Sequence, residues 1–242
     1  MYHAVEAVPR PPQYKHFYVT AKEFAGQIQM LQNRGYTAIT FDLLARAMAG
    51  EEPLPHRPVV LTFDDGYANL IPHVHPLLRR LGFPYTVFLV SEKMGGTNDW
   101  VAAEGYEPTP LLTWEKILQM QADGGVDFQA HTATHRHLNR IPSAEARQEL
   151  AQSKDALEQK LGKPMTTLCY PYGSHDATTV ALAQECGYQM AVTTEFGRVR
   201  MGDDPLRLPR ISVYHVPPVS LTYGIGSLNF RWRLETRKDT RV

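Results

Sequence analysis

Leu61-Thr62-Phe63-Asp64-Asp65-Gly66-Tyr67 is the stretch that decides how this chain is read. With Val59 and Val60 before it, the apolar run predicts a buried strand. That strand delivers two adjacent carboxylates into a glycine. Adjacent carboxylates repel, so the pair is costly unless a cation or a shared proton relieves it. Neighbouring side chains at a strand end point to opposite sides. The two acids can therefore divide the work, one ligating a metal while the other stays free as a base. Gly66 permits a turn that a Cβ would obstruct. A solvated Asp-Gly turn after a strand has the same local sequence. What separates the two readings lies further along the chain.

Outward from this strand, helical and extended patterns alternate. Thr20 with Glu23 forms a capping box, and Phe24, Ile28 and Leu31 give the helix that follows a buried stripe, closed by Gly35. A short strand is predicted over 36–41 and a short helix over 42–49. Helix over 69–81 is interrupted by Pro72 and Pro76. Residues 85–90 form a strongly apolar strand, and 91–110 a glycine-containing loop of a length usually reserved for function or mobility. A helix begins at Thr113, and a strand over 126–130 runs into His131-Thr132-Ala133-Thr134-His135. Ser143 caps a long helix with Ala146, Leu150, Leu157 and Leu161 on one face. Strands follow over 166–170, 190–194 and 211–214, with a helix over 178–186. Seven or eight strands alternating with helices, without an internal repeat, predict an α/β fold: a parallel sheet, closed as a barrel, with helices outside. Active sites of such barrels sit at the C-terminal strand ends. Asp64-Asp65 and the histidine pair both fall there.

Histidines at i and i+4 share a face of a helical turn, so both imidazoles can reach one ion. Two histidines and one carboxylate make three protein ligands, the count of a catalytic rather than a structural zinc-type site. Zn²⁺ can lower the pKa of bound water from 15.7 to about 7. The second Asp would then accept its proton, a step commonly worth ~10²–10⁴-fold.

Thr62-Phe63-Asp64-Asp65-Gly66, His131-Thr132-Ala133-Thr134-His135 and Tyr170-Pro171-Tyr172-Gly173 together resemble, in order and spacing, the motifs of the polysaccharide deacetylases, the NodB-homology family. The resemblance implies a deformed (β/α)7-type barrel that removes acetyl groups from sugars. It implies Asp64 as general base, Asp65, His131 and His135 as ligands of Zn²⁺ or another divalent transition metal, and Pro171 and Tyr172 lining the substrate groove, with the Tyr172 backbone amide helping to hold the oxyanion. One branch, which deacetylates poly-β-1,6-N-acetylglucosamine, has permuted strands and carries its general acid on an N-terminal Tyr-His segment. Tyr2-His3-Ala4-Val5 resembles that segment, which makes His3 the expected acid, with His215 and then His175 as competitors. Many family members carry an arginine just before Pro-Tyr-Gly that orients the base. Leu168, Cys169 and Tyr170 stand there instead. Arg210 is placed with the substrate-side residues, reaching the same carboxylate from another strand; a surface salt bridge is its other reading.

Composition narrows the remaining choices. The chain has 242 residues, 43% hydrophobic and 21% charged, with a net charge of +0. That is a globular composition without the basic footprint of a nucleic-acid binder. The longest apolar runs fall short of a membrane span. Cys169 and Cys186 are expected as two ordinary buried thiols. His73, His75 and His137 lack an accompanying third ligand type and predict no second metal. The expected catalytic domain covers 1–225, with 226–242 as a tail or linker remnant. No leader is visible at Met1, and Tyr2 to Val5 looks like the tail of a strand, so the expectation is an extracytoplasmic protein whose signal peptide is missing from this chain, with a cytoplasmic protein as the other reading. The implied partner is an N-acetylated polysaccharide whose N-acetylglucosamine units lose acetate. The rival expectations are a deacetylase of chitin or peptidoglycan, a small-molecule amidohydrolase on the same scaffold, and a non-catalytic sugar-binding domain.

Overall fold

In a computed structural model, which describes residues 1–215, strands and helices appear in the order β1 (Ala4–Glu6), β2 (Tyr18–Thr20), α1 (Ala21–Asn33), β3 (Thr37–Ala38), α2 (Phe41–Met48), β4 (Pro58–Val59), β5 (Thr62–Phe63), α3 (Leu70–His73), α4 (His75–Leu81), β6 (Tyr85–Leu89), α5 (Trp114–Asp123), β7 (Val126–Ala130), α6 (Ser143–Leu161), β8 (Thr167–Cys169), α7 (Ala177–Glu185), β9 (Met190–Phe196) and β10 (Leu208–Arg210). The tail expected over 226–242, and the domain end at 225, lie outside the described residues.

Six strands form one parallel sheet in the order β10-β9-β8-β7-β6-β5. Side-chain alternation gives this sheet two buried faces. Val87, Leu89, Phe128 and Leu168 face the helices in the large core, with Ile117, Met120, Leu150 and Leu157. Phe88, Cys169, Met190, Val192 and Leu208 face the other way and pack with Ile39, Phe41 and Leu44 from the β3–α2 segment. The curled sheet is the parallel sheet that the alternation predicts, in the form of the deformed (β/α) barrel that the resemblance implies. Its two edges are tied together by the first residues of the chain. Tyr2 exchanges backbone bonds with the β5 edge, Tyr2 N to Thr62 O at 2.8 Å and Asp64 N to Tyr2 O at 2.9 Å. Met1 bonds the segment after β10, its nitrogen to Ile211 O at 2.9 Å and its carbonyl accepting from Val213 N at 2.9 Å.

Several boundaries differ from the sequence expectation, each for a local reason. The central strand divides into β4, which pairs with β3, and β5, which pairs with β6. The strand expected over 36–41 is only β3, because Thr40 caps α2 with its side chain on Leu43 N. Helix over 69–81 breaks at Val74, consistent with the amide hydrogen that Pro76 lacks. Ser143 is the first residue of α6 rather than its cap. The strand expected over 211–214 is replaced by β10, and Ile211 and Val213 instead bond Met1. The capping box at Thr20 and Glu23 is present as expected. Both cysteines are free thiols, Cys169 buried and Cys186 half-buried. Among the described residues, no helix is long and apolar enough to cross a membrane.

Candidate active site

The strand ends converge through unusual backbone. Among the described residues, four of the five non-glycine residues with positive φ are Asp65 (72°), Thr132 (66°), His135 (68°) and Tyr172 (58°), all in the three quoted motifs. Such conformations cost about 1–3 kcal/mol each and persist where surrounding structure enforces them. Two motif glycines have no substitute. Gly66 has φ 76°, and a Cβ there would lie 2.8 Å from Leu89 Cδ2. At Gly173, φ 68°, it would lie 2.7 Å from the Thr194 backbone nitrogen.

Asp65 leaves β5 in the left-handed region and turns its carboxylate toward the β7 loop. Its Oδ1 lies 3.4 Å from His131 Nε2 and 3.3 Å from His135 Nε2. That oxygen is buried and meets neither imidazole in hydrogen-bonding geometry. A buried acceptor without a partner, faced by two ring nitrogens, is what a shared cation would satisfy. Asp65, His131 and His135 are a possible donor set for one metal ion. The two histidines are not on the helical turn that their spacing suggests. They occupy a loop whose positive φ at Thr132 and His135 brings both rings to one point. His131 Nδ1 lies 2.7 Å from Cys169 O, which sets Nδ1 as the protonated nitrogen and leaves Nε2 as a ligand atom. Burial opposes ionisation of Asp65, but the two imidazoles outweigh it and hold the carboxyl well below its usual range.

Asp64 faces another set of partners. Arg210 reaches it from β10 with both terminal nitrogens, at 2.7 Å to Oδ1 and 2.8 Å to Oδ2. The guanidinium also donates to Thr193 O at 2.9 Å and to Cys169 Sγ at 3.1 Å. Burial would raise the Asp64 carboxyl, yet the Arg210 charge and bonds prevail and hold it down at about 2. Arg210 is therefore not a solvated surface residue. It is 7% exposed and lies behind the carboxylate. Burial pushes the Cys169 thiol up, so it stays protonated and donates toward Asp64 Oδ2 at 3.5 Å.

His3 Nε2 lies 4.0 Å from Asp64 Oδ2, its side chain 22% exposed. The competing histidines are engaged elsewhere. His215 Nδ1 is 3.0 Å from Glu23 and its ring stacks on Tyr18. His175 Nδ1 is 2.8 Å from Gly173 O and its ring stacks on Tyr170. His75 bridges Tyr85 and Asp123 within the scaffold. Pro171 is buried, whereas Tyr172 is half open and packs edge-on against His135 and flat on His137.

Sequence reasoning missed Tyr67 and Cys169 as contributors and, for Trp100 in the long loop, weighed stacking on sugar rings against packing at the barrel rim. Trp100, from the long loop, stacks on the His135 ring with centroids 4.3 Å apart. Tyr67 takes a bond from Asn98 Nδ2 at 2.8 Å, and burial together with the nearby Asp65 charge raises its hydroxyl well above the usual range. Cys169 joins Asp64, Arg210 and His131. Only Tyr67 carries a signal in its position, immediately after the Asp-Asp-Gly turn.

The chain is similar to known proteins in sequence and in fold. The chain is 28% identical over 195 residues to the putative polysaccharide deacetylase YxkH of Bacillus subtilis, covering 81% of this chain and 65% of that relative, just under two thirds of its length. It is 26% identical over 210 residues to the poly-β-1,6-N-acetyl-D-glucosamine N-deacetylase of Staphylococcus epidermidis, covering 83% and 70%. The solved structure of the Streptococcus pyogenes deacetylase PplD, in complex with acetate, superposes with a TM-score of 0.75 at 26% identity, covering 88% of this chain and 90% of that one. Residues 51–191, more than half of the chain and spanning all three motifs, match the family profile described as polysaccharide deacetylase, and the chain belongs to that family.

Proposed function

We propose that this chain is a metal-dependent hydrolase that removes N-acetyl groups from N-acetylglucosamine units of a polysaccharide, releasing acetate. The observation that carries this reading is the buried, unpartnered Asp65 Oδ1 facing His131 and His135 Nε2, beside a second carboxylate engaged by Arg210. In this reading Asp65, His131 and His135 hold Zn²⁺ or a similar divalent cation. Such an ion, when bound, acidifies water and polarises the acetyl carbonyl. Asp64 accepts the proton of the attacking water. Arg210 keeps that carboxylate ionised and aimed. His3 donates a proton to the departing amine, so the C–N bond breaks to give acetate and a free glucosamine unit. Pro171 and Tyr172 flank the sugar, and the Tyr172 backbone amide faces the developing oxyanion. The name of the Staphylococcus epidermidis relative favours a β-1,6-linked polymer, and in this reading the enzyme works outside the cytoplasm, where such a polymer would be met.

The experiment is acetate release from β-1,6-linked N-acetylglucosamine oligomers, after chelation and again after Zn²⁺ add-back. Activity is expected to disappear with the metal and return with it. Turnover that survives complete metal removal contradicts the reading. Chitin and peptidoglycan oligomers and the N-acetylglucosamine monomer, run in parallel, identify another polymer or a small-molecule substrate. Oligosaccharide binding without acetate release would mark a sugar-binding domain instead.

His3 carries its own test. Among the three candidate histidines only its ring approaches Asp64. His3→Gln is expected to lower kcat by about 10²-fold and to remove the alkaline limb of the pH–rate profile, the signature of a lost general acid. An unchanged profile would take the role away from His3.

A further inference from the structure

The two histidines of the candidate metal centre are oriented differently. His131 has a ring-nitrogen tether, Nδ1 to Cys169 O at 2.7 Å. His135 has none; its Nδ1 is buried without a partner. Ligand imidazoles are normally aimed by a bond to the second ring nitrogen. His135 must be aimed by its backbone and by the Trp100 ring stacked on it. That backbone is strained, with positive φ at both Thr132 and His135, and a β-branched residue such as Thr132 seldom adopts it.

What holds the loop is a set of bonds from three directions. Ser91 N donates to Thr132 O at 3.1 Å and Glu92 N to Ala133 O at 3.0 Å. His135 N donates to Thr132 Oγ1 at 3.1 Å. The remaining position, Thr134, is gripped by Glu149 of α6. Thr134 N donates to Glu149 Oε2 at 2.8 Å, and Thr134 Oγ1 donates to Oε1. Glu149 is 7% exposed, on the buried face of α6 with Ala146, Leu150, Ser153 and Leu157. Among the described residues no cation lies within ion-pairing distance of it. A buried carboxylate without a cation is costly, and a leucine would pack the same helix face without that cost. Both its oxygens are spent on one residue, the neighbour of His135.

We propose that Glu149 is a positioning residue for the metal centre, fixing through Thr134 the turn that aims His135 and so substituting for the ring-nitrogen bond that His135 lacks. The inference rests on the reading of Asp65, His131 and His135 as metal ligands.

The test uses the full chain and Zn²⁺ alone, with affinity measured by competition against a chromophoric chelator. Glu149→Ala is expected to weaken Zn²⁺ binding by about 10–100-fold, the usual effect of losing an outer-shell partner. Glu149→Gln should fall between wild type and Ala, because its one carbonyl oxygen replaces two acceptors. Thr134→Val, which removes the hydroxyl and keeps the amide, should weaken binding by a similar intermediate factor. These two milder variants decide the matter if Glu149→Ala does not fold. Turnover of the Glu149 variants should recover at saturating Zn²⁺, and Leu157→Val, a packing change on the same helix, should leave Zn²⁺ affinity unaltered. Affinity within about twofold of wild type in the Glu149 and Thr134 variants, where outer-shell losses usually cost at least tenfold, would overturn the inference. Equal loss in Leu157→Val would overturn it too, by showing that general loosening suffices. Asp65→Ala separates the levels: if it binds Zn²⁺ as wild type does, the metal-centre reading fails and takes this inference with it. If Asp65→Ala loses the metal while the Glu149 variants do not, only the positioning role falls.

Discussion

Asp64→Asn is expected to lower turnover by about 10⁴-fold, the upper end of what a general base contributes, while Zn²⁺ affinity stays within a few-fold of wild type. The two halves of this expectation come from the divergence of the adjacent acids. Asp65 faces His131 and His135, whereas Asp64 faces Arg210, Cys169 and His3. An amide at position 64 cannot accept the proton, yet it leaves all three proposed ligands in place. The change also has a structural consequence. Arg210 is 7% exposed and would keep its charge with no anion beside it. Stranding one partner of a buried pair costs about 3–5 kcal/mol, so the melting temperature should drop as well. Adding Arg210→Met to Asp64→Asn should restore much of the stability and none of the activity. Chelator competition, kcat on the oligomer substrate and thermal melts together check it. Loss of Zn²⁺ binding in Asp64→Asn would instead mean that Asp64 is itself a ligand.

Arg210→Met alone should destabilise the fold by a similar amount, about 3–5 kcal/mol at neutral pH, because it leaves a carboxylate buried and unpaired. The pH dependence gives the sign. Asp64 is held at about 2, below the value near 4 of an ordinary Asp. Its contribution to stability is therefore fully present above pH ~4 and lost as the pH falls toward 2. Without Arg210 the folded-state carboxyl rises, and this loss should vanish or reverse. Acid melts of the variant should be flatter between pH ~4 and ~2 than those of wild type, since that window reports the lowered carboxyl. Catalytically, the base would be ionised only at higher pH, so the acid limb of kcat/KM should move up while Zn²⁺ affinity holds. An unmoved acid limb would deny Arg210 any influence on Asp64.

The placement of Arg210 marks where the sequence stops being informative. Arg210 and Asp64 are 146 positions apart. Nothing local in Leu208-Pro209-Arg210-Ile211 distinguishes a buried partner of the base from a solvated arginine. Cys169, in the stretch where family members often carry an arginine, read as an ordinary thiol, yet its contacts with Asp64 and Arg210 follow from β8 lying within the same sheet. The i, i+4 spacing of His131 and His135 correctly drew attention to the pair but suggested a helical turn, because spacing carries no information on the sign of φ. Nothing in the sequence around Glu149 sets it apart from the other polar residues of α6.

By itself the sequence determined the elements whose causes are local: the Thr20–Glu23 cap and the buried stripe of α1, the strand–helix alternation behind a parallel barrel, and the turn at Gly66. It also determined that the acids and histidines stand at strand C-termini, which in a parallel sheet places them at one end. Tertiary structure decided which of these groups touch. Residues 1–2 close the gap between the β5 edge and the segment after β10, and the β10 arginine comes to rest behind the β5 carboxylate. Capping and alternation are energies of neighbouring residues and can be read from a short window. Contacts between distant segments depend on how the sheet curls and what closes it, which is a property of the whole chain.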